Sequence, residues 1–169
     1  SKSYDGTPLT NSEVTVTGDG FADGEGADYH VTGSQTVVGS SDNTFADPEY
    51  TLWENTNESN YDISVEKGLL TVTKSESDVV VTIQENSSTV EYDGTVKTVT
   101  GYTVKSISNS LYTENDFEYV GGESKRTVSG VNAGTYNMEL VSSDFRNKSG
   151  NFKDENVTFV IRDGALTIS

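Results

Sequence analysis

The chain has 169 residues, 27 Asp and Glu against 11 Lys and Arg, one His, no Cys and a formal net charge of -16. Without Cys there is no disulfide, no thiolate nucleophile and no Cys-based metal site, and an anionic field of this strength repels phosphate, which makes nucleic acid and anionic membranes poor partners. No apolar run approaches the ~18 residues that a membrane helix needs.

In chain order, the first landmark is Tyr4-Asp5-Gly6-Thr7, an Asp-Gly turn that asks for positive φ at Gly6. Alternation of apolar and polar residues predicts strands over 13–17 and 29–32. Between them, Asp19, Asp23, Glu25 and Asp28 crowd a Gly-rich stretch. Val38-Gly39-Ser40 follows, then a loop with Pro48, then Tyr50 and Trp53, and two more strands are predicted over 62–65 and 70–73. The joining segment Thr73-Lys74-Ser75-Glu76-Ser77-Asp78 has neither Gly nor Pro, which predicts limited hinge freedom and an end-to-end arrangement. Beyond it, strands are predicted over 79–83, 89–92, 102–107, 117–120, 135–140, 157–161 and 165–168, with one cap and single turn over 142–147.

Much of the second half restates the first. Tyr4-Asp5-Gly6-Thr7 returns as Tyr92-Asp93-Gly94-Thr95, and Val38-Gly39-Ser40 is answered by Ala133-Gly134-Thr135. Residues 60–72 return as 156–168 without a gap, matching Asn60 to Asn156, Ile63 to Phe159, Val65 to Ile161, Gly68 to Gly164, Leu70 to Leu166 and Val72 to Ile168. This closing pair reads as a hairpin with Lys67-Gly68 and Asp163-Gly164 as its turns. The duplication divides the chain into domains of residues 1–74 and 75–169, with net charges of -10 (3 basic, 13 acidic) and -6 (8 basic, 14 acidic). Only the second copy has a full strand before its Tyr-Asp-Gly-Thr, so the first copy is expected to lack its opening strand and to present an unpaired edge. The chain neither begins with Met nor carries a signal-peptide pattern, and it reads as a piece of a longer protein. The fold class is all-β, two small antiparallel domains, with an Ig-like sandwich preferred and a β-grasp-like fold as the alternative.

Catalysis is hard to assemble from these residues. His30 is the only histidine and lies on an alternating strand, with nothing to mark a nucleophile or an orienting partner. The 19–28 stretch offers calcium four carboxylates, Asp19, Asp23, Glu25 and Asp28, although the spacing fits no EF-hand and a solvated acidic loop is the plainer reading. Trp53 and Tyr50 are the aromatic residues placed to offer a flat face to a sugar. Lys97 and Asn156 are a conceivable isopeptide pair.

Ser3-Tyr4-Asp5-Gly6-Thr7-Pro8-Leu9-Thr10, Val14-Thr15-Val16-Thr17-Gly18, Val31-Thr32-Gly33-Ser34 and Asn60-Tyr61-Asp62-Ile63 resemble the YDG/MBG-type tandem repeats of large Gram-positive surface proteins. The second half is similar to a sister repeat through Tyr92-Asp93-Gly94-Thr95, Ala133-Gly134-Thr135-Tyr136 and Asp163-Gly164-Ala165-Leu166-Thr167-Ile168. The resemblance implies an exported, non-catalytic, monomeric module at the bacterial cell surface or cell wall, with stalk or adhesive duty. Its implied partners are neighbouring repeats of the same chain and a host glycan or extracellular protein. Such repeats have no catalytic residues to carry over.

Overall fold

The computed structural model describes residues 1–169 and is all-β: strands joined by turns, four of them single 3₁₀ turns, with no α-helix of the kind a β-grasp fold lays over its sheet. The chain divides into two compact units, Ser1–Ser75 and Glu76–Ser169.

The first unit contains β1 (Lys2–Ser3), β2 (Ala27–Val31), β3 (Gly39–Asn43), β4 (Phe45–Leu52) and β5 (Gly68–Thr73). Leu70 and Val72 alternate inward along β5 and are buried, which makes β5 the centre of a sheet ordered β1-β5-β3. On one side β1 runs parallel, with Lys2 opposite Val72; on the other β3 runs antiparallel, with Gly39 opposite the same Val72. The parallel pairing ends at Tyr4, whose N–H donates to the Thr73 carbonyl at 2.8 Å. The chain then turns on Asp5, whose Oδ1 accepts from the Thr7 amide (2.9 Å) and hydroxyl (2.7 Å) and from Lys2 Nζ (2.7 Å). Gly6 has the expected positive φ of 78°.

The remaining pair, β2 and β4, is antiparallel, with Ala27 opposite Leu52 and Tyr29 opposite Tyr50. The register then slips, so Val31 faces Phe45 and residues 46–49 bulge out. Pro48 therefore lies inside a strand, not in a loop, at a bulge where no ladder bond is asked of its nitrogen. Two expected strands do not form. Residues 13–17 and 62–65 have no ladder, and Val16 is half exposed. Alternation gives a segment a face, but a strand exists only alongside a partner, and neither segment has one.

The second unit contains β6 (Val79–Glu85), β7 (Ser88–Val90), β8 (Lys97–Thr100), β9 (Tyr102–Ile107), β10 (Phe117–Tyr119), β11 (Thr127–Gly130), β12 (Gly134–Asn137), β13 (Phe145–Asn147), β14 (Val157–Arg162) and β15 (Ala165–Ile168). They form sheets ordered β14-β6-β9 and β12-β15-β7, with the pairs β11-β8 and β10-β13. On β6, Val79, Val81, Ile83 and Glu85 share the inward parity and are buried, and the polar residues between them are more exposed. Residues 142–147 give a 3₁₀ turn, Ser142–Asp144, followed directly by strand β13.

The sheet β12-β15-β7 repeats β3-β5-β1 pair for pair. Val90 lies parallel to Ile168 as Lys2 does to Val72, and Gly134 lies opposite Ile168 as Gly39 does to Val72. Tyr92 N–H donates to the Ser169 carbonyl at 2.8 Å, and Asp93 Oδ1 accepts from the Thr95 amide and hydroxyl (2.9 and 2.6 Å). The lysine that holds the aspartate comes from the opposite side of the turn, as Lys97 at 2.6 Å. In both turns the lysine and threonine hydrogen bonds hold the carboxyl well below the usual aspartate range.

The closing pair is not a hairpin. β14 and β15 belong to different sheets, so Asp163-Gly164 carries the chain from one sheet to the next. β6 and β7 make the same change at Asn86-Ser87, and β8 and β9 are separated at Gly101, where φ is 86°. The three breaks meet at one corner: Asn86 N–H donates to the Gly101 carbonyl (3.1 Å), and Ala165 N–H to Ser87 Oγ (3.1 Å). Gly164 does not have positive φ; glycine is required because a Cβ would stand 2.5 Å from the carbonyl oxygens of Glu85 and Asn86.

Candidate functional site

The 19–28 stretch is built as a support for Trp53. Trp53 N–H donates to the Gly26 carbonyl (2.9 Å), Thr56 Oγ1 accepts from Gly26 N–H (2.9 Å), and Asn55 Nδ2 donates to the Gly24 carbonyl (2.6 Å). The indole lies against Gly26, where a Cβ would come within 2.9 Å of the ring, and its Nε1 donates to Asp28 Oδ1 at 3.1 Å. Thr56, the residue that anchors this turn, is buried, and Trp53 is 44% exposed. The indole thus packs against the Gly26 backbone while part of the side chain meets solvent.

Two of the four loop carboxylates, Glu25 and Asp28, are part of this scaffold. Glu25 accepts a short hydrogen bond from the Tyr61 hydroxyl, which in turn accepts from Ala22 N–H at 3.1 Å. That bond to Glu25 is the main reason the Tyr61 hydroxyl is pushed above the ordinary phenol range. Phe21 packs edge-on to Tyr61 with centroids 4.9 Å apart. Asp19 and Asp23 are exposed, and no three acidic or histidine side chains converge as a metal-holding group.

Tyr50 stands elsewhere on β4. It lines an open depression of about 680 Å³ with Asp47, Pro48, Glu49, Leu52 and Glu58, which Trp53 does not border. His30 is half-buried, with Nε2 2.8 Å from Thr51 Oγ1. Lys97 is held by Asp93, and Asn156 Nδ2 donates to Asp78 Oδ1 at 3.0 Å, so each has a partner other than the other.

Two constellations in the second unit escaped the sequence reading. Glu85 is 1% exposed, and its two oxygens accept from the backbone N–H groups of Leu140 and Gly164, each at 2.7 Å. Its signal was parity: position 85 continues the inward phase of Val79, Val81 and Ile83. The other is Asp144, buried at the end of the 3₁₀ turn, whose carboxylate accepts from Lys125 Nζ (2.7 and 2.8 Å) and from Val141 N–H (2.8 Å). Burial pushes its carboxyl up, but the Lys125 and Val141 hydrogen bonds and the lysine charge outweigh burial and hold it below the ordinary aspartate range.

This depression fixes a sign for pH dependence. A carboxylate with a lowered folded-state pKa contributes stability above its unfolded value, and that contribution is lost as pH falls through the folded one. The second unit should therefore weaken as pH drops below about 4. Lys125→Met should move the acid-unfolding midpoint, followed by circular dichroism, to higher pH; an unmoved midpoint would count against the pair.

No family model, curated protein or solved structure matches this chain.

Proposed function

We propose that the chain is a non-catalytic, monomeric pair of Ig-like β-sandwich repeats from an exported bacterial surface protein, serving as a stalk or adhesion segment. The observation that supports this reading is the parallel pairing of the strands that open each unit with the strands that close it. In the second unit β6 runs along β14 for six register pairs and β7 along β15 for three more. Tension between the ends of such a unit pulls the two strands in opposite directions, so the bridging hydrogen bonds are loaded together in shear, not opened one at a time. In the first unit the same arrangement has two register pairs, Lys2 with Val72 and Ser3 with Thr73.

Force applied through residues 1 and 169 tests the stalk reading. Two ruptures are expected, and the one releasing the longer chain, about 340 Å for 94 residues against about 270 Å for 75, should need the greater force. Equal or lower resistance in the longer-release event would remove the support. Export is tested by labelling intact source cells with antibody to the chain; labelling only after lysis would oppose it.

A second reading, a host glycan- or protein-binding module, is favoured by one observation: Trp53 is fixed through its backbone and its indole N–H while 44% of it stays exposed. Stacking of a sugar on such a ring is worth a few kcal/mol at most. Trp53→Ala should then lower binding on a glycan array to background, while Tyr50→Ala, at a separate surface, should not. Binding indifferent to Trp53→Ala would dismiss this site.

A further inference from the structure

One face of the β2–β4 ladder carries a group of side chains that strand alternation itself assembles. Asp28 lies opposite Thr51, and Trp53 N–H donates to the Gly26 carbonyl one step beyond, so Trp53, Thr51, Asp28 and His30 share a face, while Tyr50, opposite Tyr29, has the other parity. Two side-chain contacts bear the sharing out: Trp53 Nε1 donates to Asp28 Oδ1 at 3.1 Å, and His30 Nε2 stands 2.8 Å from Thr51 Oγ1. Three adjacent ring carbons of Trp53, Cε3, Cζ3 and Cη2, lie between 2.9 and 3.0 Å from the point where a Gly26 Cβ would stand. Near-equal distances to three neighbouring atoms put that point over the six-membered ring and not at its edge, so Gly26 backs one face of the indole. Trp53 is still 44% exposed.

What this group offers a ligand is narrow. The indole N–H is used on Asp28 and the His30 Nε2 on Thr51, which leaves an aromatic ring and the second Asp28 oxygen, Oδ2, on an exposed carboxylate. A ring and a carboxylate both attract positive charge, and Trp does so most strongly among the aromatic residues. The surroundings supply none. From residue 3 to residue 66 there is no Lys or Arg among 13 Asp and Glu, and no carboxylate from Asp19 to Glu66 has an ion-pair partner. In the second unit, by contrast, Asp93, Asp144 and Glu118 are each paired with a Lys or Arg. A neutral sugar would use the ring and leave the charge unanswered, and an acidic or sulfated one would be repelled.

We propose that this face binds a cationic side chain, Lys or Arg, of a basic polypeptide, with the charged group lying on the Trp53 indole and donating to Asp28 Oδ2. The inference rests on the reading of the chain as a binding module and narrows its ligand to a protein recognised through a cation. Arginine answers the geometry better than lysine, because its plane stacks on an aromatic ring while its N–H groups reach a carboxylate at the rim. Thr51 and His30, bonded to each other, complete the face beside Asp28.

Tetraarginine amide titrated into the full chain tests this, read by calorimetry and by the emission of Trp53, the only tryptophan. At about 0.15 M salt the Debye length of about 8 Å screens the general field of the protein and leaves contacts at the site. Tetraarginine should bind and shift the Trp53 emission, and tetraglutamate should do neither. Asp28→Asn keeps an acceptor for the indole N–H but removes the charge, and should weaken binding at least threefold; Trp53→Ala should weaken it at least fivefold by calorimetry. Asp42→Asn removes the same charge from an exposed position on β3 and should change binding less than twofold. Equal losses from Asp28→Asn and Asp42→Asn overturn the site, because the attraction then belongs to net charge alone. Emission that responds to a neutral oligosaccharide and not to tetraarginine overturns the cation and leaves the binding-module reading standing, whereas silence toward both, with a blank glycan array, removes the two together.

Discussion

Gly164→Ala should destabilise the second unit by about 2–6 kcal/mol, whereas Gly68→Ala, at the matched position, should leave the first unit unharmed. The methyl at 164 would stand 2.5 Å from two carbonyl oxygens and 2.7 Å from the Glu85 carbonyl carbon, all backbone, so no side chain can swing aside. Shifting either strand also breaks the 2.7 Å bond from Gly164 N–H to Glu85. Overpacking of this kind costs about 1–3 kcal/mol, and leaving a buried polar group unpaired costs about 1–3 more. Against a total on the order of 5–15 kcal/mol for such a domain, that is a large fraction. At 68 the φ is not left-handed and the space is open, so the methyl only stiffens the unfolded chain, a gain of up to about 1 kcal/mol. Urea titration checks both, with Trp53 fluorescence following the first unit and circular dichroism the whole chain. Equal effects at the two positions would contradict the corner described for Gly164.

Glu85→Ala acts on the same corner from the other side. It leaves the N–H groups of Leu140 and Gly164 without an acceptor, at about 1–3 kcal/mol each. Relief from burying a carboxylate offsets part of this, so the net loss should be smaller than for Gly164→Ala. Glu85→Gln keeps one acceptor but turns an NH₂ donor toward another donor, and should fall between Glu85→Ala and the parent chain.

What was legible in the sequence follows from the same physics. The strands read from alternation that also found partners, β5, β6, β9, β14 and β15, stand where the pattern put them. Residues 13–17 alternate as cleanly and form nothing, because no neighbour completes their ladder. The reverse failure is β3, whose Gly39-Ser40-Ser41-Asp42-Asn43 has no strand character of its own and is recruited by β5. β8, β11 and β13 are likewise short and mostly polar, and each is defined by the strand opposite. Alternation reports a face, while pairing is a property of two segments and is invisible in either one. The partners of the loop side chains are hidden in the same way. Asp19, Asp23, Glu25 and Asp28 look like calcium ligands in one dimension, but Glu25 and Asp28 bond to Tyr61 and Trp53, which lie 36 and 25 residues away. The matched glycines were read as turn formers; Gly6 and Gly94 are, while Gly164 answers to a close approach that only the corner creates.

Phe145→Ala should be as damaging as Gly164→Ala, for a different reason. Phe145 is 5% exposed and touches four rings: Tyr102 at 5.0 Å and Tyr119 at 5.4 Å between centroids, Phe159 at 5.6 Å and Phe117 at 6.2 Å. These rings come from β9, β10 and β14, and Phe145 itself from β13, so one side chain ties four strands that share few backbone bonds. β13 pairs only with β10, over three residues, and cannot be held by its ladder alone. Removal of a phenyl ring from such a site costs about 3–5 kcal/mol, and flat rings on four sides cannot collapse into the space as flexible aliphatic chains would. For a domain of this size the melting midpoint should fall by roughly 15 °C or more. Phe145→Leu fills part of the void but restores none of the edge-to-face contacts, worth about 0.5–1.5 kcal/mol each, and should recover less than half the loss. Recovery to near the parent midpoint by Leu would mean that apolar volume alone holds β13 in place. A persistent gap would assign the difference to the aromatic geometry, which makes the cluster the part of this unit least open to substitution.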